Sequence, residues 1–329
     1  MPRRILFAVG QAGSADYLIP LWRRWLARNG SASWRVIASP QAQRRIEAAG
    51  IGGMPLVVGG FDGPDMLAAA LGDWRPDLVF DSASGAAVET AAKGLGRSLG
   101  VPAVRLIDVW YGYRERLSAN GSLDLPDKVL VIDDQAVRQA VGEGLPECLL
   151  EPVGHPGWEE IVPLPAGDRR HVMFASQPVA RFYGERLGYT EASSWRMLVE
   201  TARQRPDLIT TLVFAPHPDD DMPPPAETGL VRVAWGRDAL GQVGTVTGMF
   251  SSLMTNALLA GRHVISLQPN ATGADKSNMG RERLIARATT PDELIAALTA
   301  PSPDLAELRA ALKDSCTRLE RALLAAAHG

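Results

Sequence analysis

Across the 329 residues of the chain, the side chains able to handle an anion or activate a hydroxyl gather in a few short stretches. One is built around Gly248 and the pair Ser251 and Ser252. Residues 243–247 read as a strand, the serines open a run of helix formers (Leu253, Met254, Ala257, Leu258, Leu259, Ala260), Gly261 stops it, and residues 263–267 read as a second buried strand. Free backbone N–H groups and two hydroxyls at a helix N-terminus, aided by the helix dipole, suit a phosphate. The plainer alternative is that one serine only caps a helix that packs a sheet. A second stretch holds His217, which follows the apolar run 212–215 and is flanked by Pro216 and Pro218. It reads as a functional loop histidine or as a structural cap. In a third, Asp108 stands just past the run 103–107 and is followed by Trp110, Tyr111, Tyr113, Arg114 and Arg116. The carboxylate can take a proton and the arginines can anchor an acceptor, although a surface ion pair accounts for them equally. Asp81 and Asp16 are the next candidate bases. Gly10, Gly13 and Ser14, after residues 5–9, and Ser176 and Gln177, after residues 171–175, are candidate ligand contacts. His155, in Gly-His-Pro-Gly-Trp, needs no more than a hinge to explain it. Asp219, Asp220 and Asp221 precede three prolines and read as a solvated loop rather than a metal cluster.

The elements that must position these groups alternate. Strand-like runs at 5–9, 34–38, 55–58, 78–81, 103–107 and 128–132 are separated mostly by helical patterns, beginning with residues 16–28, whose Leu18, Leu21, Trp22, Trp25 and Leu26 read as core. Such alternation predicts a parallel, doubly wound sheet, with ligand sites at the carboxyl ends of the strands. The first turn is not Gly-x-Gly-x-x-Gly, so no dinucleotide fingerprint is present. The pattern weakens over residues 159–170, with Pro163, Pro165 and Gly167, and then restarts: strands at 171–175, 212–215 and 230–234, a helix at 191–204 after Thr190, and closing helices at 291–300 and 304–326. The expectation is an α/β chain of two Rossmann-like domains, 1–160 and 168–329, with the last helix packing back across the join. Ligands would sit between facing strand ends.

Composition narrows the function classes. Apolar content of 46% and charged content of 22% are those of an ordinary globular protein, and a net charge of -3 offers no case for nucleic acid or an anionic membrane as partner. Cys148 and Cys316 form no C-x-x-C pattern, which argues against a disulfide framework or a zinc site. The apolar run 5–9 is too short for a signal segment or a membrane span, so a cytoplasmic location is expected.

Taken together, R-P-D-L-V-F-D (75–81), L-G-V-P-A-V-R-L-I-D (99–108), V-G-H-P (153–156), A-P-H-P (215–218) and S-S-L-x-x-N-A-L-L-A-G-R-H-V-I-S (251–266) resemble the GT-B glycosyltransferase superfold, in its usual order. The likeness spans nearly the whole chain and is strongest after residue 75. It implies that the N-terminal domain takes the acceptor and the C-terminal domain holds the nucleotide of a sugar donor. His217-Pro218 and Ser251-Ser252 resemble elements of bacterial sialyltransferases and CDP-glycerol-type transferases, where they serve the donor phosphate or nucleotide. Where many UDP- and GDP-sugar enzymes of this fold place a Glu on the ribose hydroxyls, this chain has Asn256, which can hydrogen-bond a hydroxyl but carries no charge. The resemblance therefore implies a metal-independent glycosyltransferase, with no cofactor beyond a nucleotide-sugar substrate, acting on a bacterial glycan or a small acceptor. Asp108 and His217 would be catalytic. Gly10, Gly13, Ser14, Ser176, Gln177, Gly248, Ser251, Ser252 and Asn256 would bind ligand. A UDP-sugar 2-epimerase-like isomerase and a non-catalytic GT-B subunit of a complex are the alternatives, and a homo-oligomer is compatible with any of them.

Overall fold

In the computed structural model, which describes residues 3–28, 33–119, 121–217, 230–234 and 237–328, the chain divides into two compact units. The first comprises Met1–Glu160 with Leu308–Gly329, and the second Ile161–Glu307. In the first unit, β1 (Ile5–Val9) leads into α1 (Ala12–Ala27) and β2 (Trp34–Ala38) into α2 (Pro40–Ala48) and α3 (Pro64–Leu71). Next come β3 (Leu78–Asp81), α4 (Ala87–Leu99), β4 (Ala103–Ile107) and the one-turn α5 (Tyr113–Arg116). A short antiparallel pair, β5 (Ser118–Ala119) and β6 (Ser122–Leu123), then precedes β7 (Lys128–Val131), α6 (Asp134–Gly142), β8 (Leu150–Pro152) and α7 (Pro156–Glu159). The main sheet is parallel throughout, in the order β2-β1-β3-β4-β7-β8, so the chain reverses its direction of travel between β1 and β3. Apolar residues on every turn of α1 seal one face. Trp22 and Trp34 are fully buried and stack at 6.2 Å between ring centroids, with Phe7 edge-on to both. Residues 55–58, expected as a strand, add a single parallel bridge, Val36 to Leu56. Glycines at 52, 53, 59 and 60 on either side favour turns over a ladder.

In the second unit, β9 (His171–Ala175) is followed by α8 (Val179–Tyr183) and α9 (Glu191–Gln204), then β10 (Thr211–Ala215), β11 (Val231–Arg232) and β12 (Thr245–Gly248). After α10 (Ser252–Leu259) come β13 (His263–Leu267), α11 (Asn278–Arg281), β14 (Ala286–Ala288) and α12 (Pro291–Thr299). This sheet is also all parallel, in the order β11-β10-β9-β12-β13-β14, with its reversal between β9 and β12. Thr190 caps α9, its hydroxyl accepting from the Ser193 N–H at 3.2 Å, and Gly261, at φ +80°, ends α10 in a conformation glycine adopts without strain. The acidic stretch at 219–221 lies outside the described residues.

The closing helix expected over 304–326 is instead two, α13 (Ala306–Leu312) and α14 (Ser315–Ala326). Asp314 breaks it in a left-handed conformation, φ +61°, because the Glu159 carboxylate accepts from the backbone N–H groups of Asp314 and Cys316 at 2.6 and 3.1 Å. The helix α14 packs against α1 and α7, placing Leu319 and Leu323 wholly inside the first core. Among the described residues no helix is long and apolar enough to cross a membrane.

Candidate functional site

The reversal of strand order in each sheet leaves a crevice at the carboxyl ends of the strands beside it, the standard ligand position in open α/β sheets. In the first unit that place is occupied by Gly10, Ser82 and Asp108. Gly10 ends β1 in a tight grip: its N–H donates to the Ser82 hydroxyl at 3.2 Å and its carbonyl accepts from Ser39 at 2.6 Å. A Cβ at this position would lie 1.8 Å from Ser84 Oγ and 2.8 Å from the Ala86 Cβ, so any larger residue would force the loop after β3 to shift. Residues 10–14 read as a loop from sequence, but α1 begins at Ala12, so Gly13 and Ser14 belong to its first turn. There the Ser14 hydroxyl donates to Asp108 Oδ2 at 2.9 Å.

The acidic groups at this edge differ sharply in how they are engaged. Asp81 pairs with Arg105 at 3.1 Å, both side chains being buried, and burial pushes its carboxyl up to about 6 against the pull of the guanidinium. Glu89, wholly buried, accepts from the Ser82 hydroxyl and from the N–H groups of Ser82, Ser84 and Ala86, and so holds the loop between β3 and α4. Asp16 is in an ion pair with Arg45 at 2.6 Å. Asp108 is half-buried and meets a hydroxyl donor, a bond that a substrate hydroxyl can replace in kind. Burial pushes its carboxyl above the ordinary carboxylate range, with nearby Arg116 and the Ser14 hydrogen bond opposing. His155 does structural work: its ring nitrogen Nδ1 accepts from the Trp158 N–H at 3.1 Å, its ring stacks on Trp158 at 3.8 Å, and Tyr17 meets it edge-on at 4.6 Å.

In the second unit, Ser176 and Gln177 follow β9, and the Gln177 side-chain oxygen Oε1 accepts from the Phe250 N–H at 2.8 Å, tying together the loops on either side of the reversal. Gly248 ends β12, where a Cβ would come 2.9 Å from the Ala175 carbonyl. Ser251 is the N-cap of α10, its hydroxyl accepting from the Leu253 N–H at 3.1 Å; Ser252, the first helical residue, is exposed. Of the two hydroxyls, Ser252 is thus the one presented outward, while Ser251 fixes the helix end. Asn256 stands one turn further along the same face, and its buried Oδ1 has no hydrogen-bond partner among the described residues. A buried amide oxygen in that condition is costly until a donor reaches it. His217 is half-buried just past β10.

The sequence reading missed a network at the end of β13. Buried Gln268 donates from Nε2 to Ser266 Oγ at 2.8 Å and to Asp275, whose Oδ1 also accepts from the Ser277 N–H at 2.8 Å. The polar run after the strand 263–267 was the available signal, since strand ends elsewhere in the chain were read that way. Among the described residues no group of three His, Cys, Asp or Glu side chains is placed to hold a metal ion.

No protein-family model matches the sequence, and no curated protein matches it. Solved structures do resemble it over nearly their full length. The glycotransferase of kitacinnamycin is 17% identical, with 98% of each chain covered and a TM-score of 0.64. The UDP-GlcNAc 2-epimerase of Neisseria meningitidis, bound to UDP-GlcNAc, is 12% identical, covering 98% of this chain and 99% of its own, with a TM-score of 0.65. The Anabaena protein HepE, in complex with UDP and glucose, is 12% identical over 97% and 95% of the two chains, with a TM-score of 0.58. At these identities the likeness establishes the fold: two Rossmann-like units of the GT-B type.

Proposed function

We propose that the chain is a GT-B enzyme that transfers a sugar from a nucleotide-sugar to an acceptor hydroxyl. The engagement of the carboxylates in the first unit carries this reading. Asp81, Glu89 and Asp16 are each consumed by ion pairs or several backbone donors, whereas Asp108 takes one side-chain hydrogen bond, from the exchangeable Ser14 hydroxyl, beside its own backbone N–H, and is made more basic by burial. One general base suits removal of one acceptor proton. Epimerisation at a sugar carbon calls for several acid and base groups, which this edge does not offer among its described residues. In the second unit the N-terminus of α10, with Ser252 and the backbone N–H groups, would take the donor's diphosphate, His217 would assist its departure, and Asn256 would meet a ribose hydroxyl.

The test is a thermal-shift panel with CMP, CDP, UDP and GDP, followed by assay of sugar release from the matching nucleotide-sugars. A nucleotide present at about 100 times its dissociation constant adds about 2.7 kcal/mol of stability. Activity is expected to persist in excess EDTA. Complete loss restored by magnesium or manganese would point instead to a metal, and absence of any nucleotide binding alongside copurifying subunits would make the chain a binding subunit.

A further inference from the structure

Arg116 ends α5, close after Asp108 in sequence and half-buried in the structure. Its partners differ from those of several other guanidinium groups in this unit. Arg105, Arg45, Arg97, Arg24 and Arg28 are each within ion-pair distance of a carboxylate. Among the described residues Arg116 has no such pair. Its Nη1 donates to the Ala83 carbonyl at 3.4 Å, the long limit of a hydrogen bond, and its guanidinium lies over the Tyr111 ring at 5.7 Å. A guanidinium has five N–H donors, so most of its capacity is unspent at a strand end where a ligand is expected. The acceptor of its one bond is also strained: Ala83 sits in the left-handed region, φ +49°, which a residue with a Cβ occupies at a cost and which clusters at functional sites.

We infer that Arg116, backed by Tyr111, is the seat for an anionic group, carboxylate or phosphate, on the acceptor whose hydroxyl is activated at Asp108. The inference rests on the transfer reading above and adds the acceptor's chemical class. A planar, forked cation recognises such a group by two parallel hydrogen bonds, and Tyr111, 36% exposed, suits an acceptor with a flat ring beside it. The same pairing bears on the base. Arg116 opposes the upward push of burial on Asp108, so an anion that neutralises Arg116 leaves Asp108 more basic when an acceptor is in place.

The experiment titrates the full chain by calorimetry with 4-hydroxybenzoate, its neutral analogue 4-hydroxybenzamide, inorganic phosphate and UDP, using wild type, Arg116→Met and Arg116→Lys. Wild type is expected to bind the acid at least about tenfold tighter than the amide, Arg116→Met to abolish that preference, and Arg116→Lys to restore part of it, with UDP affinity unchanged throughout. Circular dichroism and melting curves confirm that each variant is folded. Equal binding of acid and amide, or binding of neither 4-hydroxybenzoate nor phosphate, overturns the inference. So does an Arg116→Met variant that weakens UDP as much as it weakens the acid, because the guanidinium then serves the nucleotide. If wild type binds none of CMP, CDP, UDP and GDP while the acid preference holds, the transfer reading fails and the anion seat stands.

Discussion

Asp108 shows how environment separates one carboxylate from its neighbours. Asp81 and Asp108 stand at strand ends and Asp16 opens a helical run, so position ranks them as candidate bases in the order Asp108, Asp81, Asp16; their partners in the fold tell them apart. Asp108→Asn is expected to fold, to keep nucleotide binding, and to lose at least about a hundredfold in transfer rate, as removal of a general base does. Its stability profile supplies a second readout. A carboxyl raised by burial binds its proton more tightly folded than unfolded, so its contribution is fully present below the ordinary carboxylate value and is lost as pH rises through the folded one. The Asn variant should therefore melt higher than wild type near pH 7.5, and the gap should close as pH falls toward 4. A gap that widens in acid would show that burial does not govern Asp108. Glu89 was not legible at this scale, because a Glu in a helical pattern ordinarily reads as a solvated face. Only the fold reveals that its carboxylate holds the loop after β3.

Among the elements, strand identity was legible where an apolar run ended in a polar residue, as at Asp81 and Asp108. Boundaries set by remote partners were not: α1 starts early around Ser14 and Asp108, and the break at Asp314 depends on Glu159, far away in sequence. The sheet of the first unit carries a second such feature. Asp81 and Arg105 are register partners on β3 and β4, a charged pair buried within the sheet, and Arg105 also reaches the Asp124 carboxylate at 2.8 Å. Replacing Arg105 with Met strands Asp81 in the core and should cost about 3–5 kcal/mol in denaturant unfolding, whereas adding Asp81→Leu should recover part of that loss. Additive losses would mean that the pair is not coupled. At α10 the expectation concerns binding. Changing both Ser251 and Ser252 to Ala should weaken nucleotide affinity by about 1–3 kcal/mol while costing about 1 kcal/mol of stability for the lost cap. A stability loss with unchanged calorimetric affinity would return the serines to a purely structural role.

For the molecule as a whole, two α/β halves were legible because alternation of strand and helix stops near residue 160 and restarts at 171. From the sequence the last helix falls in the second domain, 168–329, packing back across the join, although the apolar face of α14 fits a sheet of either half. The structure assigns it to the first unit: Leu319 and Leu323 are fully buried among Tyr17, Trp22 and their neighbours, and the Ser315 hydroxyl accepts from the His155 N–H at 3.1 Å. Each leucine buried from water contributes about 1.5–3 kcal/mol, a large share of the roughly 5–15 kcal/mol by which a domain is stable. Gly154 records how closely the two segments fit, since a Cβ there would fall 2.0 Å from Ser315 Oγ. It follows that residues 161–307 expressed alone should unfold cooperatively, and on the transfer reading should retain nucleotide binding, whereas residues 1–160 alone should expose apolar surface and melt without a sharp transition. Supplying 308–329 through a flexible linker after residue 160 should restore cooperativity. A cooperative, dye-excluding 1–160 fragment would show that the first core closes without α14 and that the helix is an accessory to it.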